Sequence, residues 1–138
     1  MALTDYSDLE KEILNAPEPK VLPAGSEVKA RIIAVQSGEN DDGFIWHRVV
    51  FDVPNDPLVL EFNKFMNDLK DRDKMEEKNY VRTRDLFSKF VQCFDIDLSR
   101  PFDWGADLPG KEGWVILGIK KSEEFGDQNT VRKFIVKK

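Results

Sequence analysis

Apolar and polar residues alternate along five stretches of the chain, which is the pattern of β-strands with one face buried. The five predicted strands are 26–36, 43–53, 58–65, 114–121 and 130–138. Turn-forming residues separate the first three, including the SGENDDG segment and the PNDP segment, and a longer tip of sequence SEEFGDQN joins the last two. The pattern therefore predicts a three-stranded meander followed, much later in the chain, by a hairpin.

The alternation also predicts which face of each strand is buried. The first strand presents Val28, Ala30, Ile32 and Ala34 to the core. Its other face begins with basic residues and ends with apolar ones, which predicts a bend or bulge around Ile32–Ile33. The third strand is expected to bury Leu58, Leu60 and Phe62. In the last strand either the pair Val131 and Ile135 or the pair Phe134 and Val136 can face inward, so its register stays open.

One segment has the apolar period of an amphipathic helix. Phe87, Phe90, Val91 and Phe94 recur at i, i+3, i+4 and i+7, which predicts a helix over 79–94 with one face in the core. This helix falls between the third and fourth strands, the order of an OB-fold. We therefore assign the chain to the all-β class, as a β-rich α+β protein, with a five-stranded OB-fold barrel and a helix between strands three and four.

The remaining segments flank or interrupt this domain. Residues 1–21 are an acidic N-terminal arm or a short helix, since Tyr6, Leu9, Ile13 and Leu14 have helical spacing, and residues 22–138 are the OB-fold domain. The arm could also compete with a polyanion for a basic groove. Residues 64–78 hold five acids and five bases and are interpreted as an exposed connector, with a mobile flap over a ligand as the alternative.

The net charge of −5 is unevenly distributed over the 138 residues. Residues 1–20 carry five acids and two lysines, hence −3, whereas residues 111–138 carry seven Lys/Arg and four acids, hence +3. Because a ligand responds to the local field rather than to the total, the acidic balance does not exclude a nucleic-acid partner. No apolar run approaches a membrane span and no signal peptide is recognised, so we expect a cytoplasmic protein without a membrane partner.

The scarcity of reactive side chains argues against catalysis. Cys93 is the only cysteine and His47 the only histidine, which excludes an intrachain disulfide and the usual Cys/His zinc sites. No Gly-rich phosphate loop, no metal-ligand cluster and no nucleophile beside a base is recognised. The aspartates between 95 and 107 are expected to serve turns rather than a metal. We therefore predict a protein that is not an enzyme and has no metal site and no cofactor.

The second strand carries the most unusual side chains. Ile45, His47, Val49, Phe51 and Val53 form a core face, with His47 as a satisfied core histidine. The opposite face holds two large aromatic residues and an arginine, at the place where OB-folds bind single strands. The predicted nucleic-acid-binding residues are Phe44, Trp46, Arg48, Lys29, Arg31, Lys120, Lys121, Phe125, Arg132 and Lys133.

Each of these residue types suits a single strand for a physical reason. Aromatic rings stack on any base, and Lys or Arg pairs with phosphate, so the expected binding is independent of sequence. The alternative is that Phe44 and Trp46 are covered by the N-terminal segment or by a second subunit. Trp114 is expected to be buried at a strand start, and Trp104 is left without a role.

Four segments carry a resemblance to a known family. They are LPAGSEVKARIIAV at 22–35, RDLFSKFVQCFDID at 84–97, LPGKEGWVILGIKK at 108–121 and DQNTVRKFIV at 127–136. They resemble a family of bacteriophage OB-fold proteins that bind single-stranded DNA during replication or recombination. The resemblance implies a location in the host cytoplasm, single-stranded DNA as partner, and contacts with replication or recombination proteins. A homodimer is the expectation where a second subunit covers Phe44 and Trp46. Many single-strand binders end in an acidic tail, whereas this sequence ends in Lys137 and Lys138 and has its acidic segment at the front.

Two functions from different classes follow from the sequence. The first is a sequence-independent single-stranded DNA-binding protein of phage replication or recombination. The alternative is a non-catalytic OB-fold module that binds another protein, such as a phage factor holding a host protein, which the acidic N-terminal segment favours. Stacking and phosphate contacts serve DNA and RNA alike, so the sequence does not discriminate between them.

Overall fold

Five β-strands dominate the structure, a computed structural model that describes residues 2–136 of the chain. The strands are β1 (Glu27–Glu39), β2 (Ile45–Asp52), β3 (Phe62–Asn67), β4 (Glu112–Ser122) and β5 (Gly126–Phe134). The α-helices are α1 (Glu10–Leu14), α2 (Glu77–Cys93) and α3 (Trp104–Asp107), and short 3₁₀ helices cover Ser7–Leu9 and Leu69–Lys74. The protein is thus a β-rich α+β fold in which α2 follows β3 and precedes β4.

The five strands form one closed sheet in the order β1-β2-β3-β5-β4, with β4 back against β1. Strand β1 serves both halves of the sheet, since it pairs with β4 through residues 27–31 and with β2 through residues 31–39. The pairing register shifts between Ile32 and Ala34, so the predicted bend is confirmed. A bulge at this point lets one long strand turn sharply enough to face two partners.

The interior is filled by apolar side chains from all five strands and from α2. Phe51 of β2 lies at its centre, with ring centroids 5.5 Å from Phe62, 5.7 Å from Phe94 and 6.4 Å from Phe134. The helix contributes Phe90, Val91 and Phe94 to this core, while Phe87 is only partly buried. The predicted apolar stripe of the helix is therefore confirmed as a packing surface.

The third strand differs from its prediction in position and in facing. It begins at Phe62 rather than at 58, and the residues before it form turns. Val59 is buried and Leu60 is 48% exposed, so the predicted burial of Leu60 is wrong. The reason is tertiary, because Val59 pairs with Lys20 in an isolated parallel bridge that interrupts the expected alternation.

The last strand resolves the register that the sequence left open. Val131 and Phe134 are both buried, one from each of the two alternative sets. A shift in the β4–β5 register between Ile116 and Leu117 makes this possible, since a bulge moves later residues to the other face. The strand ends at Phe134, and the predicted residues 137 and 138 lie outside the described part of the chain. The predicted long tip is wrong, because Ser122 pairs with Gly126 and leaves only three residues between the strands.

The N-terminal segment is held to the sheet only from Lys20 onward. The Lys20 amide donates to the Leu58 carbonyl at 2.8 Å, and the Lys20 ammonium lies 2.8 Å from Asp56. Two residues later, the backbone of Leu22 exchanges hydrogen bonds with the side-chain amide of Asn129 at 2.9 Å. Before these anchors, the Ser7–Leu9 turn and α1 bury no residue, so their apolar side chains are exposed.

Gly113 provides a test of how closely α2 packs on β4. A Cβ atom at this position would lie 2.7 Å from both the carbonyl oxygen and the Sγ atom of Cys93. We expect Gly113→Ala to lower the free energy of unfolding by about 1–3 kcal/mol, because backbone cannot move aside cheaply in a packed core. Urea unfolding followed by far-UV circular dichroism measures this change.

The matched control is Gly118→Ala in the same strand. Its added Cβ would meet only Thr130 and Arg132 side-chain atoms at 3.5–3.6 Å, which is ordinary contact. We expect a change in unfolding free energy of less than about 1 kcal/mol. Equal destabilisation by both substitutions would contradict the proposed close contact between α2 and β4.

Candidate nucleic-acid interface

The outer face of β2 carries two of the predicted binding residues. His47, Val49 and Phe51 point into the core, so Trp46 and Arg48, which alternate with them, point outward. Both outward side chains are half-buried rather than sealed inside. The outward direction that the sequence predicted for Trp46 and Arg48 is therefore confirmed, with both side chains partly covered.

Trp46 is held by contacts on both neighbouring strands. Gly38 of β1 lies directly opposite, and a Cβ atom there would approach the indole Cζ2 atom to 2.5 Å. On the β3 side, the Phe65 ring packs edge-on with a centroid distance of 5.6 Å and an interplanar angle of 61°. Phe65 is 57% exposed, so the pair forms an aromatic surface with an accessible flat ring.

Phe65 is a candidate residue that the sequence reasoning missed. It lies in β3 two residues after Asn63, hence on the same outward face, and it pairs directly with Arg48. The signal for it was its period-2 spacing in a predicted strand next to the Trp46 strand. It was missed because the third strand was predicted to end at residue 65. The side chain of a terminal strand residue need not follow the alternation, so Phe65 was not assigned to either face of the sheet.

Arg48 lies in the middle of this surface. Its Nη1 atom donates to Gln36 Oε1 at 3.0 Å, and no carboxylate within residues 2–136 forms an ion pair with it. Hydrogen bonding to a neutral amide positions the guanidinium without neutralising it. The remaining N–H groups can therefore pair with a phosphate that crosses the sheet.

Phe44 lies before β2 begins and belongs to a different surface. The Lys74 ammonium donates to the Gly43 carbonyl at 2.7 Å and sits 5.9 Å from the Phe44 ring centroid. This brings the Leu69–Lys74 turn against Phe44, at a groove of about 600 Å³ that also includes Arg82. Phe44 has no ring contact with Trp46 in the described part of the chain, so the structure separates the two predicted aromatic residues.

Lys29 and Arg31 are engaged by acidic neighbours rather than free. The Arg31 guanidinium makes two hydrogen bonds to the Asp52 carboxylate, with an Nε–Oδ1 distance of 3.0 Å. Hydrogen bonding to Asp52 and its charge raise the pKa of Arg31 above its ordinary value. The Lys29 ammonium lies 3.6 Å from Glu112. The predicted extension of the positive track along β1 therefore carries little free charge.

Trp114 was predicted to be buried, but its side chain lies on the outer face of the sheet. It pairs with Lys29 across β1 and β4 and is 44% exposed, so its predicted burial is wrong. The neighbouring pair, Val28 and Val115, faces the interior, and strand alternation then sends Trp114 outward. This second aromatic surface lies on the β1–β4 side of the sheet, away from the Trp46–Phe65 pair.

The β4–β5 hairpin contributes cations that have no acidic partner. Lys120, Lys121, Arg132 and Lys133 are all exposed, and none of them is in an ion pair among the residues that the structure describes. Thr130 pairs with Asn63 in a parallel arrangement, and two residues further along each strand come Arg132 and Phe65. Arg132 therefore lies on the strand beside Phe65, whereas Lys120 and Lys121 pair with Gln128 and Asp127 nearer the hairpin tip.

Phe125 stands at the tip of this hairpin. Its side chain is 68% exposed and borders a groove of about 470 Å³ that also includes Pro19, Leu60 and Gln128. The structure describes no ring contact between Phe125 and the Trp46–Phe65 pair in residues 2–136. Phe125 is therefore available to a ligand at the edge of the surface rather than at its centre.

A chain of polar contacts fixes the end of the sheet beneath the Trp46 surface. His47 is 4% exposed, its Nδ1 atom lies 2.6 Å from Ser37 Oγ, and its Nε2 atom lies 2.9 Å from Asp68 Oδ2. The predicted core histidine is confirmed. The sequence showed no nucleophilic side chain beside a base, but in the structure the Ser37 hydroxyl lies beside the His47 imidazole. The prediction was wrong because the two residues meet only through the pairing of β1 with β2.

This polar chain has the contacts of a structural anchor. The Asp68 carboxylate also accepts from the Lys70 amide at 2.8 Å and so begins the Leu69–Lys74 turn. The Trp104 ring stacks on His47 with a centroid distance of 3.8 Å and an interplanar angle of 5°. The imidazole thereby joins β1, β2, the turn after β3 and α3, which gives Trp104 the role that the sequence left unassigned.

The acidic residues between 95 and 107 serve local turns. Asp97 accepts from the Ser99 amide at 2.9 Å, and hydrogen bonding from Ser99 lowers the pKa of Asp97. Asp103 accepts from the amides of Gly105 and Ala106 and caps α3. Across residues 2–136, no three His, Cys, Asp or Glu side chains are grouped so as to hold a metal ion. In the same residues, no helix has the length and apolar character needed to cross a membrane.

Comparisons with known proteins add no identification. The sequence matches no model of a known protein family, and it has no significant match among curated proteins. The resemblance to phage single-stranded DNA-binding proteins therefore stays a prediction from the sequence.

The contact between Gly38 and Trp46 can be tested directly. We expect Gly38→Ala to displace the indole ring, because the new Cβ atom would overlap Cζ2. In a ¹H–¹⁵N spectrum, the indole signal of Trp46 should shift strongly while those of Trp104 and Trp114 stay near their positions. The control is Gly105→Ala, whose Cβ meets only ordinary contacts of 3.5 Å and 3.7 Å. An unmoved Trp46 signal in Gly38→Ala would mean that the indole does not pack on β1.

Proposed function

We propose that the protein is an OB-fold protein that binds single-stranded DNA without sequence preference. The observation that carries this proposal is the Trp46–Phe65 pair with Arg48 beside it, on the outer face of β2 and β3. An accessible aromatic pair next to a guanidinium without a carboxylate partner offers a single strand both stacking and phosphate contacts.

The strand arrangement supports the OB-fold assignment. The order β1-β2-β3-β5-β4, a parallel contact between β3 and β5, and a helix between β3 and β4 in the chain all agree with that barrel. OB-folds bind oligonucleotides on the face of strands two and three, flanked by the loops between strands one and two and between four and five. Those loops here are residues 40–44 and 123–125, on either side of the proposed surface.

Binding would proceed through stacking and charge without a chemical step. Bases would stack on Trp46 and Phe65, and every base offers the same flat face, so no sequence is preferred. Arg48 would hold a phosphate between these rings, and the backbone would continue toward Arg132 and the hairpin lysines. The acidic total charge is compatible with this path, because the unpaired cations lie on the hairpin side of the sheet.

The biological role rests on the sequence resemblance. It implies a role in phage DNA replication or recombination in the host cytoplasm, with single-stranded DNA as the partner. A second candidate is a protein–protein module on the same fold, which the exposed apolar side chains of the N-terminal helical segment favour. DNA binding would use the outer face of β2 and β3, whereas protein binding would use the N-terminal helical segment. Variants of the sheet face should therefore weaken only DNA binding.

Substitution of the aromatic pair tests the proposed function. We expect Trp46→Ala and Phe65→Ala each to weaken binding of oligo-dT by about 1–3 kcal/mol, the usual contribution of one stacked base. Fluorescence anisotropy of labelled oligo-dT at low salt measures the affinity, and circular dichroism verifies the fold. The matched control is Trp114→Ala, an exposed indole on the other side of the sheet, which should leave affinity within about twofold.

Absence of any oligo-dT binding by the unaltered protein at low salt would exclude the proposal. Equal losses in Trp46→Ala and Trp114→Ala, with both folds intact, would place the ligand elsewhere. Oligo-U in the same assay measures the preference for DNA over RNA.

The hairpin cations should determine the salt dependence. We expect removal of Arg132 and Lys133 by alanine substitution to reduce the slope of log affinity against log salt by about 0.7 for each lost phosphate contact. Lys29→Ala should change the slope much less, because Glu112 already neutralises Lys29. Titrations of oligo-dT at four salt concentrations measure the slopes, and a larger effect from Lys29 would contradict the assignment of free and paired cations.

A further inference from the structure

A groove lies at the end of the sheet where β3 leaves it, beginning at Asp68. It has a volume of about 940 Å³. Its walls come from the Leu69–Lys74 turn, from the Tyr80 and Phe87 side of α2, and from the loop over residues 98–104. The proposed nucleic-acid interface uses none of these residues.

The groove combines an apolar floor with a cationic rim. Leu98 is 57% exposed in the groove, and Phe102 packs against Trp104 at a centroid distance of 5.7 Å. Lys70, Arg72 and Arg100 line the rim; Arg72 lies over the Tyr80 ring, and Arg100 is already 3.6 Å from Asp97. Of the two acids in the wall, Asp68 already accepts from His47 and from the Lys70 amide. Such a groove suits a ligand with apolar anchors and negative charge.

The N-terminal helical segment, residues 5–14, has the complementary chemistry. Tyr6, Leu9 and Ile13 are spaced at i, i+3 and i+7 and are 60%, 42% and 52% exposed. The segment contains four acids (Asp5, Asp8, Glu10 and Glu12) and one lysine, a net charge of −3. Side chains of this face already form a concave apolar patch around Tyr6 and Ile13. An amphipathic helix with these properties binds in a groove through its apolar anchors.

We propose that the N-terminal helical segment of one copy docks into this groove of a second copy. Leu9 and Ile13 would cover Leu98 and Phe102, while the acids of the segment would pair with Lys70 and Arg72, which form no ion pair among the described residues. Apolar burial supplies the attraction, and opposite charges set the orientation.

The anchoring of the segment favours a second copy over the same chain. The segment is tied to the sheet at Lys20, beside Asp56 and Val59, at the far end of β2 from the groove. The six residues from Leu14 to Lys20 span at most about 20–22 Å. The seven steps along β2 alone cover about 23 Å. Even a fully extended linker is therefore slightly shorter than β2, which disfavours docking within the same chain, whereas a neighbouring copy imposes no such limit.

This contact joins two different surfaces, so it is heterologous. Each copy offers one segment and one groove, so two copies can exchange segments in a closed dimer, and repeated docking in one direction gives rings or linear assemblies. The residues proposed to make this contact do not include Trp46, Arg48 or Phe65. The self-association does not depend on nucleic acid, so it can be measured without a ligand and can fail independently of the proposed function.

Complementation between two variants of the full chain tests the docking. The segment variant Leu9→Asp/Ile13→Asp loses the anchors but keeps the groove. The groove variant Arg72→Glu/Leu98→Asp loses the groove but keeps the segment. Sedimentation equilibrium over a wide concentration range, at low and high salt, measures association of each variant, of their equimolar mixture and of the unaltered protein. The charge controls are Leu3→Asp, outside the apolar face, and Lys78→Glu, on α2 but outside the groove.

We expect the unaltered protein to form concentration-dependent oligomers that weaken with salt, and each variant alone to associate at least about tenfold more weakly. The equimolar mixture should form dimers and nothing larger, because only one intact segment and one intact groove can meet. The two control substitutions should associate like the unaltered protein. A monomeric unaltered protein at all concentrations, a mixture that stays monomeric, or association that persists in both variants would each overturn the proposal. Circular dichroism and thermal unfolding confirm that the groove variant is folded.

Discussion

Closure of the five-stranded sheet is the constraint on which the rest of the structure depends. Once β1 pairs with both β2 and β4, every residue of these strands lies either inside a small apolar core or outside it. The bulge between Ile32 and Ala34 makes this closure possible, since a straight strand could not face both partners. Packing of Phe51, Val49 and His47 inside then leaves Trp46 and Arg48 no position except the outer face.

The end of the sheet is organised by one buried polar side chain rather than by apolar packing alone. His47 is hydrogen-bonded to Ser37 and Asp68 and stacked on Trp104, so it joins four segments that are distant in sequence. A buried imidazole with both nitrogens satisfied costs little and specifies one arrangement. That arrangement positions the turn after β3, which in turn forms one wall of the groove proposed for self-association. The proposed nucleic-acid surface and the groove therefore share a structural support without sharing residues.

An acidic protein can bind a polyanion when some of its cations are not paired with carboxylates and lie near one another. Lys29 and Arg31 are engaged by Glu112 and Asp52 and so contribute to the sheet rather than to a ligand. Arg48 and the cations of the β4–β5 hairpin lack such partners within the described residues, and Arg132 lies on the strand beside Phe65. The excess acids of the N-terminal segment lie outside this surface and, in our proposal, serve a different groove. Net charge alone conceals this division.

The period-2 and period-3.6 patterns by themselves determined the five strands, the core face of α2, the bend in β1 and the outward direction of Trp46 and Arg48. These features depend on the spacing of apolar and polar residues within one short segment, so the segment's own sequence is enough to predict them. Only the tertiary structure decided that Val59 is buried instead of Leu60, that both Val131 and Phe134 face the core, and that Trp114 is exposed. It also decided that Phe65 joins Trp46, that Lys29 and Arg31 are neutralised, and that Ser37 meets His47. Each of these depends on which strands lie side by side and on where a bulge shifts their register, and pairing between distant segments leaves no trace in the local pattern.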